Sequence, residues 1–336
     1  MNKIDDPRLK LESLMASDVT INDDSILWRE RELPIQNRIP RFTDEESYSK
    51  GNFLRLRELH PKLQLDSFNK TSDRRRTILE RTGWQPEFFR NKLVLECGCG
   101  AGPDTEVLLD LGAKVVAVDI AGVDIARENL NDPANAVFVQ ASVDDLPFRR
   151  RHFDIVFCHR VLQHTPTPKR TLEHILRFVK PDGAVFVHSY ARTLYQMLSW
   201  KYALRPFTCR MDQEVLYNRI EAWTPHLFRF TCALRKTPPQ EIVGKLLFYL
   251  AHHAVPIRNY RFIPQFSSLD DAALIEYAVH DTFDALSPRF DSPLSAREMS
   301  RIADEVLSSS FELKRSKGIT LLRSKPDDRQ LVNAAE

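Results

Sequence analysis

The sequence of 336 residues predicts an α/β fold built on a seven-stranded, mostly parallel sheet with helices on both faces. Three observations lead to this prediction. Short apolar runs alternate with amphipathic helical stretches between residues 92 and 190. A glycine-rich loop follows the first of these runs. The same alternation resumes after residue 291, and the segment in between lacks strand periodicity. We therefore expect one α/β domain with a mostly helical insertion after its fifth strand.

The first block of apolar runs is typical of buried parallel strands. We expect strands at 92–97, 113–120, 136–141, 153–158 and 184–190. Helices are predicted between them at "DTEVLLDLG", at "AGVDIARENLN" and over 167–183. Pro181, Asp182 and Gly183 predict the end of the last of these helices.

The second block contains a helix within "SPLSAREMSRIADEVLSS" and strands at 311–316 and 319–324. Lys317 and Gly318 separate these two strands, a spacing that predicts a tight hairpin. We therefore expect the chain to divide into five parts. These are an irregular N-terminal extension (1–40), a helical segment (41–90), the core (91–190 with 292–325), the helical insertion (191–291) and a polar tail (326–336).

Composition places the chain among ordinary globular proteins, with 43% hydrophobic and 28% charged residues. The net charge of +2 is too small to gather nucleic acid, so we expect no nucleic-acid partner. Two local basic clusters, 74–76 and 149–151, are predicted to be solvated surface. The N-terminus lacks the apolar stretch of a signal peptide, which favours a cytoplasmic protein.

Cysteine usage and apolar runs exclude two further classes. Five cysteines are an odd number, which argues against a secreted disulfide framework. Cys97 and Cys99 are spaced too closely for a zinc knuckle, so no metal is expected. The longest nearly apolar run, Leu246 to Ile257, is too short to span a bilayer, and we expect no stable membrane insertion. It indicates a core helix, with contact to a membrane surface as the alternative.

The glycine loop "ECGCGAG" ends the first strand and opens a helix, so its amides are placed to meet a ligand. Its spacing is G-x-G-x-G, whereas a nicotinamide dinucleotide site uses G-x-G-x-x-G. Glu96 before the loop disfavours a pyrophosphate and suits a cationic group. Asp119 ends the next strand, where a carboxylate can accept both hydroxyls of a ribose. Together these features fit S-adenosylmethionine.

The stretch 93–190 resembles the class I S-adenosylmethionine-dependent methyltransferases, in particular the methyltransferase type 11 group. The motifs that carry the resemblance are "LECGCGAG", "VVAVDI", "ASVDDLPF", "FDIVFCHRVLQHTPTP" and "LRFVKPDGAVFVHSY". The resemblance implies a Rossmann-like sheet and S-adenosylhomocysteine as the product of the donor. "RIPRFTDEESY" and "HDTFDALSPRFDSP" are similar to a subgroup from sugar- and polysaccharide-modifying pathways.

The resemblance also implies cofactor contacts. The glycine loop would pack on the methionine part, Asp119 would hold the ribose and Ile120 would lie against adenine. Ser142 stands where the family usually has an aspartate that binds the adenine amino group. The full predicted cofactor set is Glu96, Gly98, Cys99, Gly100, Gly102, Asp119, Ile120, Ser142, Val143 and Cys158.

The acceptor is expected beyond the carboxyl ends of strands four and five. A histidine there could act as a base towards an acceptor hydroxyl. The candidates are His159, His164 and His188; alternatively, His164 orders the loop before "TPTP" and His188 is a satisfied histidine at a strand edge. The predicted acceptor-binding residues are Arg160, Tyr190, Tyr195, Arg205, His280 and Asp281.

The sequence therefore predicts O-methylation of a small molecule, such as a sugar, a nucleotide-sugar, a lipid-linked saccharide or a secondary metabolite. Aromatic and arginine side chains in the insertion would select the acceptor. Alternatively, the aromatic side chains form the core of a helical cap. An RNA or protein methyltransferase and a non-catalytic S-adenosylmethionine-binding scaffold are the competing functions. The oligomeric state is not predicted.

Overall fold

The computed structural model describes residues 6–43, 50–193, 197–263, 266, 269–316 and 318–325. The chain divides into two compact units. The first unit combines Met1–Lys50, Pro61–Arg192 and Phe290–Glu336, and the second combines Gly51–His60 and Thr193–Arg289. The start of the insertion at residue 191 and its end at residue 291 thus lie within two residues of the boundaries of the second unit.

Strands and helices alternate through the first unit. The strands are β1 (Val19–Ile21), β2 (Ser25–Trp28), β3 (Arg31–Gln36), β4 (Ile39–Pro40), β5 (Leu93–Cys97), β6 (Lys114–Asp119), β7 (Ala136–Gln140), β8 (Phe153–Cys158), β9 (Val179–Tyr190), β10 (Phe311–Ser316) and β11 (Ile319–Ser324). The helices of both units are α1 (Leu11–Leu14), α2 (Lys50–Leu59), α3 (Asp66–Asn69), α4 (Asp73–Thr82), α5 (Pro103–Asp110), α6 (Val123–Asn129), α7 (Pro168–Leu176), α8 (Trp200–Thr208), α9 (Gln213–Arg235), α10 (Lys245–Ala254), α11 (Asp271–Leu286) and α12 (Ala296–Val306).

The central sheet has seven strands in the order β10-β11-β9-β8-β5-β6-β7. The five strands from β9 to β7 run parallel, and the β10–β11 hairpin adds two antiparallel strands beside β9. The predicted Rossmann-like, mostly parallel sheet is confirmed. Its carboxyl ends bring the loops after β5, β6, β8 and β9 to one edge, as the connectivity of parallel strands requires.

Both faces of the sheet are covered by helices, because successive strand residues point to opposite faces. Leu95, Val116 and Val156 are buried on the face that packs against α7 and α12. Their neighbours Val94, Val115 and Ile155 are buried on the face that packs against α4, α5 and α6. The apolar runs of the sequence are thus strands with no solvated face.

The predicted end of the helix over 167–183 is wrong. Helix α7 ends at Leu176, and β9 begins at Val179 and passes through the Pro181–Gly183 segment. The register between β8 and β9 shifts between Phe153 and Ile155, which accommodates this segment. A side chain at Gly183 would lie 2.8 Å from the carbonyl oxygen of Asp154. Glycine there allows two strands to approach rather than ending a helix.

Residues 19–40 form a small antiparallel sheet in the order β1-β2-β3-β4, where the sequence indicated an irregular extension. Its strands have only two to six residues, and β2 exposes the apolar Leu27 between two buried residues, so the sequence shows little periodicity. Ile26, Trp28 and Leu33 nevertheless point into the core of the first unit. Beyond β4, the amide of Phe42 donates to the carbonyl of Gln140 at the end of β7.

The second unit is mostly helical, as predicted, with helices α8 to α11 and most of α2. Trp200, Tyr217, Ile220 and Phe283 form part of its core, so several aromatic residues of the insertion are structural. Across the part of the chain described, no helix combines the length and apolarity needed to cross a bilayer.

Candidate active site

The glycine loop between β5 and α5 follows a path that requires glycine. Gly98, Gly100 and Gly102 have φ values of +84°, +61° and +94°, a region that other residues rarely adopt. A Cβ on Gly98 would lie 2.2 Å from the side chain of Val161. The amide of Gly98 donates to the carbonyl of Val118 on β6 at 2.7 Å. The loop is thereby held against the neighbouring strand.

Asp119 joins this loop to the one after β6. Its Oδ2 accepts the amide of Gly100 at 3.0 Å, and its Oδ1 accepts the amides of Ala121 and Gly122 at 2.9 and 3.0 Å. The side chain is buried. A carboxylate has about four acceptor positions, so these three bonds do not exhaust its capacity. The residue predicted to bind a ribose therefore also fixes both loops that would surround the ribose.

Glu96 lies under the glycine loop in a fully buried position. The hydroxyl of Thr105 donates to its Oε2 at 2.6 Å, whereas its Oε1 has no hydrogen-bond partner among the described residues. Burial, with the nearby charge of Asp104, raises the pKa of the Glu96 carboxyl to about 8. The carboxyl thus holds its proton at neutral pH until a cation approaches.

A raised pKa at Glu96 predicts a specific pH dependence of stability. The unfolded carboxyl has the usual pKa of 4.5, so only the folded state holds the proton between that pH and about 8. The stabilising contribution of proton retention is complete below the unfolded pKa and is lost as the pH rises to about 8. We expect the Glu96→Gln variant to lack this loss, which urea unfolding across this pH range would measure.

The matched control for this experiment is Glu305→Gln, because Glu305 is an exposed carboxylate on α12. Its free energy of unfolding should follow that of the unchanged chain at every pH. If the difference between Glu96→Gln and the unchanged chain stayed constant across the range, Glu96 would titrate normally in the folded protein.

A chain of four charged or polar side chains crosses the face of the sheet beside α4 and α5. Arg74 Nε donates to Asp104 Oδ1 at 2.6 Å, and His159 Nδ1 donates to Asp104 Oδ2 at 2.9 Å. Arg81 donates through Nη1 to Nε2 of His159 at 2.7 Å. Both Asp104 and His159 are buried. The prediction that the 74–76 cluster is entirely solvated is wrong for Arg74.

This arrangement fixes the protonation of His159. Burial lowers the pKa of the His159 imidazole to about 3, although the carboxylate of Asp104 opposes the shift. Burial alone would raise the pKa of Asp104, but Arg74 and His159 hold it well below its usual range. His159 is thus neutral, with Nδ1 as its donor and the lone pair of Nε2 engaged by Arg81. Its ring is oriented as a structural group.

His188 and Tyr190 lie on the same face of β9, where residues two apart point the same way. The His188 ring is 5.0 Å from the ring of His159 and 6.0 Å from that of Tyr190. Burial, with His159 and two arginines nearby, puts the pKa of His188 well below its usual range. Its Nδ1 is buried and lacks a hydrogen-bond partner in the described chain.

The third candidate histidine contacts the chain where the second sequence block begins. His164 donates through Nδ1 to the carbonyl of Phe290 at 3.2 Å, and its ring is 6.0 Å from that of Tyr190. Ser292 also donates its amide to the carbonyl of Gln163. These contacts are of the kind expected if His164 orders its loop.

The remaining predicted cofactor residues lie around the ends of β6, β7 and β8. The carbonyl of Ile120 accepts from Gln140 at 2.9 Å, and the hydroxyl of Ser142 accepts the amide of Asp144 at 3.3 Å. Burial raises the pKa of the Cys158 thiol to about 12, which keeps it protonated. Cys99 and Val143 are also buried.

Arg160 follows β8 in a left-handed conformation, with φ of +65°, and its side chain is exposed. Its carbonyl accepts from the side-chain amide of Gln163 at 3.0 Å. Arg160 therefore places a cation at the carboxyl edge of the sheet, as the sequence predicted.

In the second unit, one predicted acceptor residue, Arg205, contacts backbone carbonyls. Arg205 is buried and donates to the carbonyls of Ala285 and Pro288 at 3.1 and 2.7 Å. It satisfies carbonyls at the end of α11, which lack partners within the helix. His280 donates to Asp281 at 2.9 Å, and Tyr260 also bonds to Asp281. Tyr195 lies outside the described residues.

No sequence motif marks the charged residues that hold α4 and α5 against the central sheet. Arg81 and Asp104 carry no motif, because their partners are 78 and 55 residues away in the chain. Arg41 was missed in the same way: it binds Asp124 through both terminal nitrogens at 2.7 Å and Gln140 at 3.0 Å. The available signal was the arginine of "IPRF", which stands between apolar residues.

Residues 95–187 match a family model described as "Methyltransferase domain". Relatives include the ubiquinone biosynthesis O-methyltransferase of Glaesserella parasuis serovar 5 (strain SH0165), 33% identical over 30% of this chain and 47% of the relative. The protein of that name from Xanthomonas oryzae pv. oryzae (strain PXO99A) is 36% identical over 30% of this chain and 44% of the relative. The chain spans about half the length of the curated relatives it matches.

A mitochondrial ubiquinone biosynthesis O-methyltransferase from Schizosaccharomyces pombe (strain 972 / ATCC 24843) is 33% identical over 33% of this chain and 42% of its own length. One solved structure, described as an O-methyltransferase family protein from Burkholderia thailandensis, is 12% identical with a TM-score of 0.42. That match covers 84% of this chain and 64% of the other.

Proposed function

Because residues 95–187 are a class I S-adenosylmethionine-dependent methyltransferase domain, we propose that the chain methylates a hydroxyl group of a small-molecule acceptor. The observation that carries this proposal is the glycine loop and its link through Asp119 to the loop after β6. The names of the relatives support O-methylation as the type of reaction.

The residues present fit the donor. The backbone of the glycine loop would contact the methionine part, Asp119 would accept from the ribose, and Ile120 with Ser142 and Val143 would line the adenine. The unpartnered Oε1 of Glu96 suits an approaching ammonium, since a nearby cation stabilises the ionised carboxylate. When bound, S-adenosylmethionine supplies an electrophilic methyl group on a sulfonium. The protein then has to align the acceptor and remove a proton.

Among the three candidate histidines, His188 is our proposal for the group that accepts this proton. Its Nδ1 has no hydrogen-bond partner in the described residues and can therefore accept a proton, although burial lowers the pKa of the imidazole and makes it a weaker base than a free histidine. His159 is already oriented by Asp104 and Arg81, so we assign it a positioning role. Tyr190 and Arg160, at the same edge of the sheet, would contact the acceptor.

We expect His188→Gln to lower kcat about a hundredfold, the usual scale of general base catalysis, while the Kd for S-adenosylmethionine stays unchanged. Turnover with labelled donor and calorimetric titration of the donor would measure the two quantities. His152→Gln is the matched control, because Nε2 of His152 is also buried and unpartnered but lies just before β8, away from the carboxyl edge. Equal kcat values for the two variants would show that His188 is not the base.

We further propose that the acceptor is a sugar, a nucleotide-sugar, a lipid-linked saccharide or a secondary metabolite. We propose that the second unit, Gly51–His60 with Thr193–Arg289, selects among such acceptors. Its polar cluster of His280, Asp281 and Tyr260 supports a role in binding hydroxyl groups.

The test is incubation of the full chain with labelled S-adenosylmethionine and fractionated small metabolites, followed by mass spectrometry of the labelled product. We expect a product heavier by one methyl group on oxygen. Tight binding of donor without transfer to any fraction would favour a non-catalytic scaffold instead. If RNA became labelled, and if its binding to the chain weakened steeply with salt, an RNA methyltransferase would be favoured.

A further inference from the structure

The helical second unit exposes an unusual set of large apolar side chains. Six of them, between 44% and 71% exposed, are Trp223, Phe230, Ile242, Leu246, Leu250 and Phe262. We call these residues the α9–α10 surface. Trp223 and Phe230 are seven residues apart on α9, and Ile242, Leu246 and Leu250 are spaced by four along α10 and the turn before it. These spacings place each set on one helix face.

The two sets belong to one local structure. Helices α9 and α10 pack against each other within the second unit. Phe262 contacts Phe248 of α10, with ring centres 5.0 Å apart, and lies 5.6 Å from the guanidinium of Arg235 at the end of α9. These contacts join the segment around Phe262 to the end of α9 and to α10 within one local structure.

The charge around this patch is strongly positive. Residues 229–262 contain six basic side chains, Arg229, Arg235, Lys236, Lys245, Arg258 and Arg261, and a single acidic one, Glu241. Lys245 and Arg235 both pair with Glu241, and Arg261 pairs with Asp271 just beyond this stretch, so the excess of cations rests mainly on Arg229, Lys236 and Arg258. Since the whole chain carries a net charge of only +2, the excess of cations in this stretch is local.

We propose that the α9–α10 surface docks on an anionic lipid bilayer, with its apolar side chains in the interface and its cations on the headgroups. Apolar residues interspersed with lysine and arginine on helices favour an interfacial position. Anionic headgroups complement the cations, whereas a second copy of the chain would bring two cation-rich patches together. Helix α10 has ten residues and is too short to span, so the contact is peripheral.

Trp223 is a built-in reporter for this proposal. The chain has four tryptophans, and Trp28, Trp84 and Trp200 are buried whereas Trp223 is 65% exposed. Vesicles of phosphatidylcholine with about one-third phosphatidylglycerol should bind the full chain and shift its emission to shorter wavelength. The Trp223→Phe variant should lose the shift but still sediment with the vesicles. Vesicles of phosphatidylcholine alone should bind at least about tenfold more weakly.

Two double variants separate the apolar and the electrostatic contributions. We expect Ile242→Ser with Leu246→Ser, and Lys236→Glu with Lys245→Glu, each to lower vesicle binding at least about tenfold. The matched controls are Leu27→Ser with Phe68→Ser and Arg150→Glu with Arg170→Glu, which change exposed residues of the first unit. These controls should bind vesicles like the unchanged chain.

Three outcomes would overturn the proposal. The unchanged chain could fail to bind anionic vesicles. The serine variant could bind as well as the unchanged chain, which would leave only non-specific charge attraction. The chain could form a dimer in solution that the serine variant dissociates, which would make the surface an interface between copies. Because vesicle binding needs no methyl donor or acceptor, its result is independent of the proposed function.

Discussion

Replacement of Asp119 by alanine is expected to weaken binding of S-adenosylmethionine at least about tenfold and to lower the free energy of unfolding by about 3 kcal/mol. The affinity falls because a charge-assisted acceptor for the ribose is lost. The stability falls because the amides of Gly100, Ala121 and Gly122 lose their buried partner. Calorimetric titration with the donor and urea unfolding would measure the two effects.

An exposed acid near the same loops provides the control for Asp119. Asp110 ends α5 and is solvent-exposed, so Asp110→Ala should change neither quantity. The Asp119→Asn variant keeps one acceptor oxygen and should recover part of the stability. Donor affinity that is unchanged in Asp119→Ala would refute the ribose contact, and unchanged stability would refute the role in fixing the loops.

The second large effect is expected at Asp104. Asp104→Ala leaves Arg74 and the imidazole of His159 buried without their carboxylate, and breaking a buried pair in this way typically costs about 3–5 kcal/mol. The depressed pKa of Asp104 adds a pH signature. Its stabilisation is present above the unfolded pKa of aspartate and is lost as the pH falls below it. The variant should therefore lose less stability on acidification than the unchanged chain.

A double-mutant cycle with Arg74→Ala would isolate the contact itself. The double variant should be less destabilised than the sum of the two single variants, because removing both charges leaves neither unpaired. Additive effects would mean that Arg74 and Asp104 contribute independently. Urea unfolding at neutral pH and at a pH below the unfolded pKa of aspartate supplies all the required values.

The sequence was sufficient to predict the centre of the sheet, because β5 to β8 and the second half of β9 are buried on both faces and therefore consist of nearly continuous apolar runs. It was insufficient for the small sheet formed by β1 to β4, whose strands are short and place an exposed apolar residue, Leu27, between the buried Ile26 and Trp28. The end of α7 was missed because proline and glycine at 181–183 are equally compatible with a helix stop and an irregular strand.

Only some contacts of the candidate site could likewise be predicted from the sequence. Contacts that are local in sequence, such as the positive φ of Gly98 and the bonds from Asp119 to the two residues after Ile120, follow from a motif. Contacts between distant elements do not. The engagement of His159 by Asp104 and Arg81 depends on the packing of α4 and α5 on the sheet. Arg205 illustrates the same limit, since its residue type does not reveal that it serves the end of α11.

Helix α4 carries Arg74 and Arg81, seven residues and hence two helical turns apart, about 10 Å along one face. Arg74 binds Asp104 at the start of α5, and Arg81 binds His159 after the end of β8. Since a helix moves as a stiff body, these two anchors couple the entrance of α5 to the imidazole beyond β8. A displacement of α4 along its axis would disturb both bonds at once, so the helix holds the hydrogen-bonded pair of Asp104 and His159 from two sides.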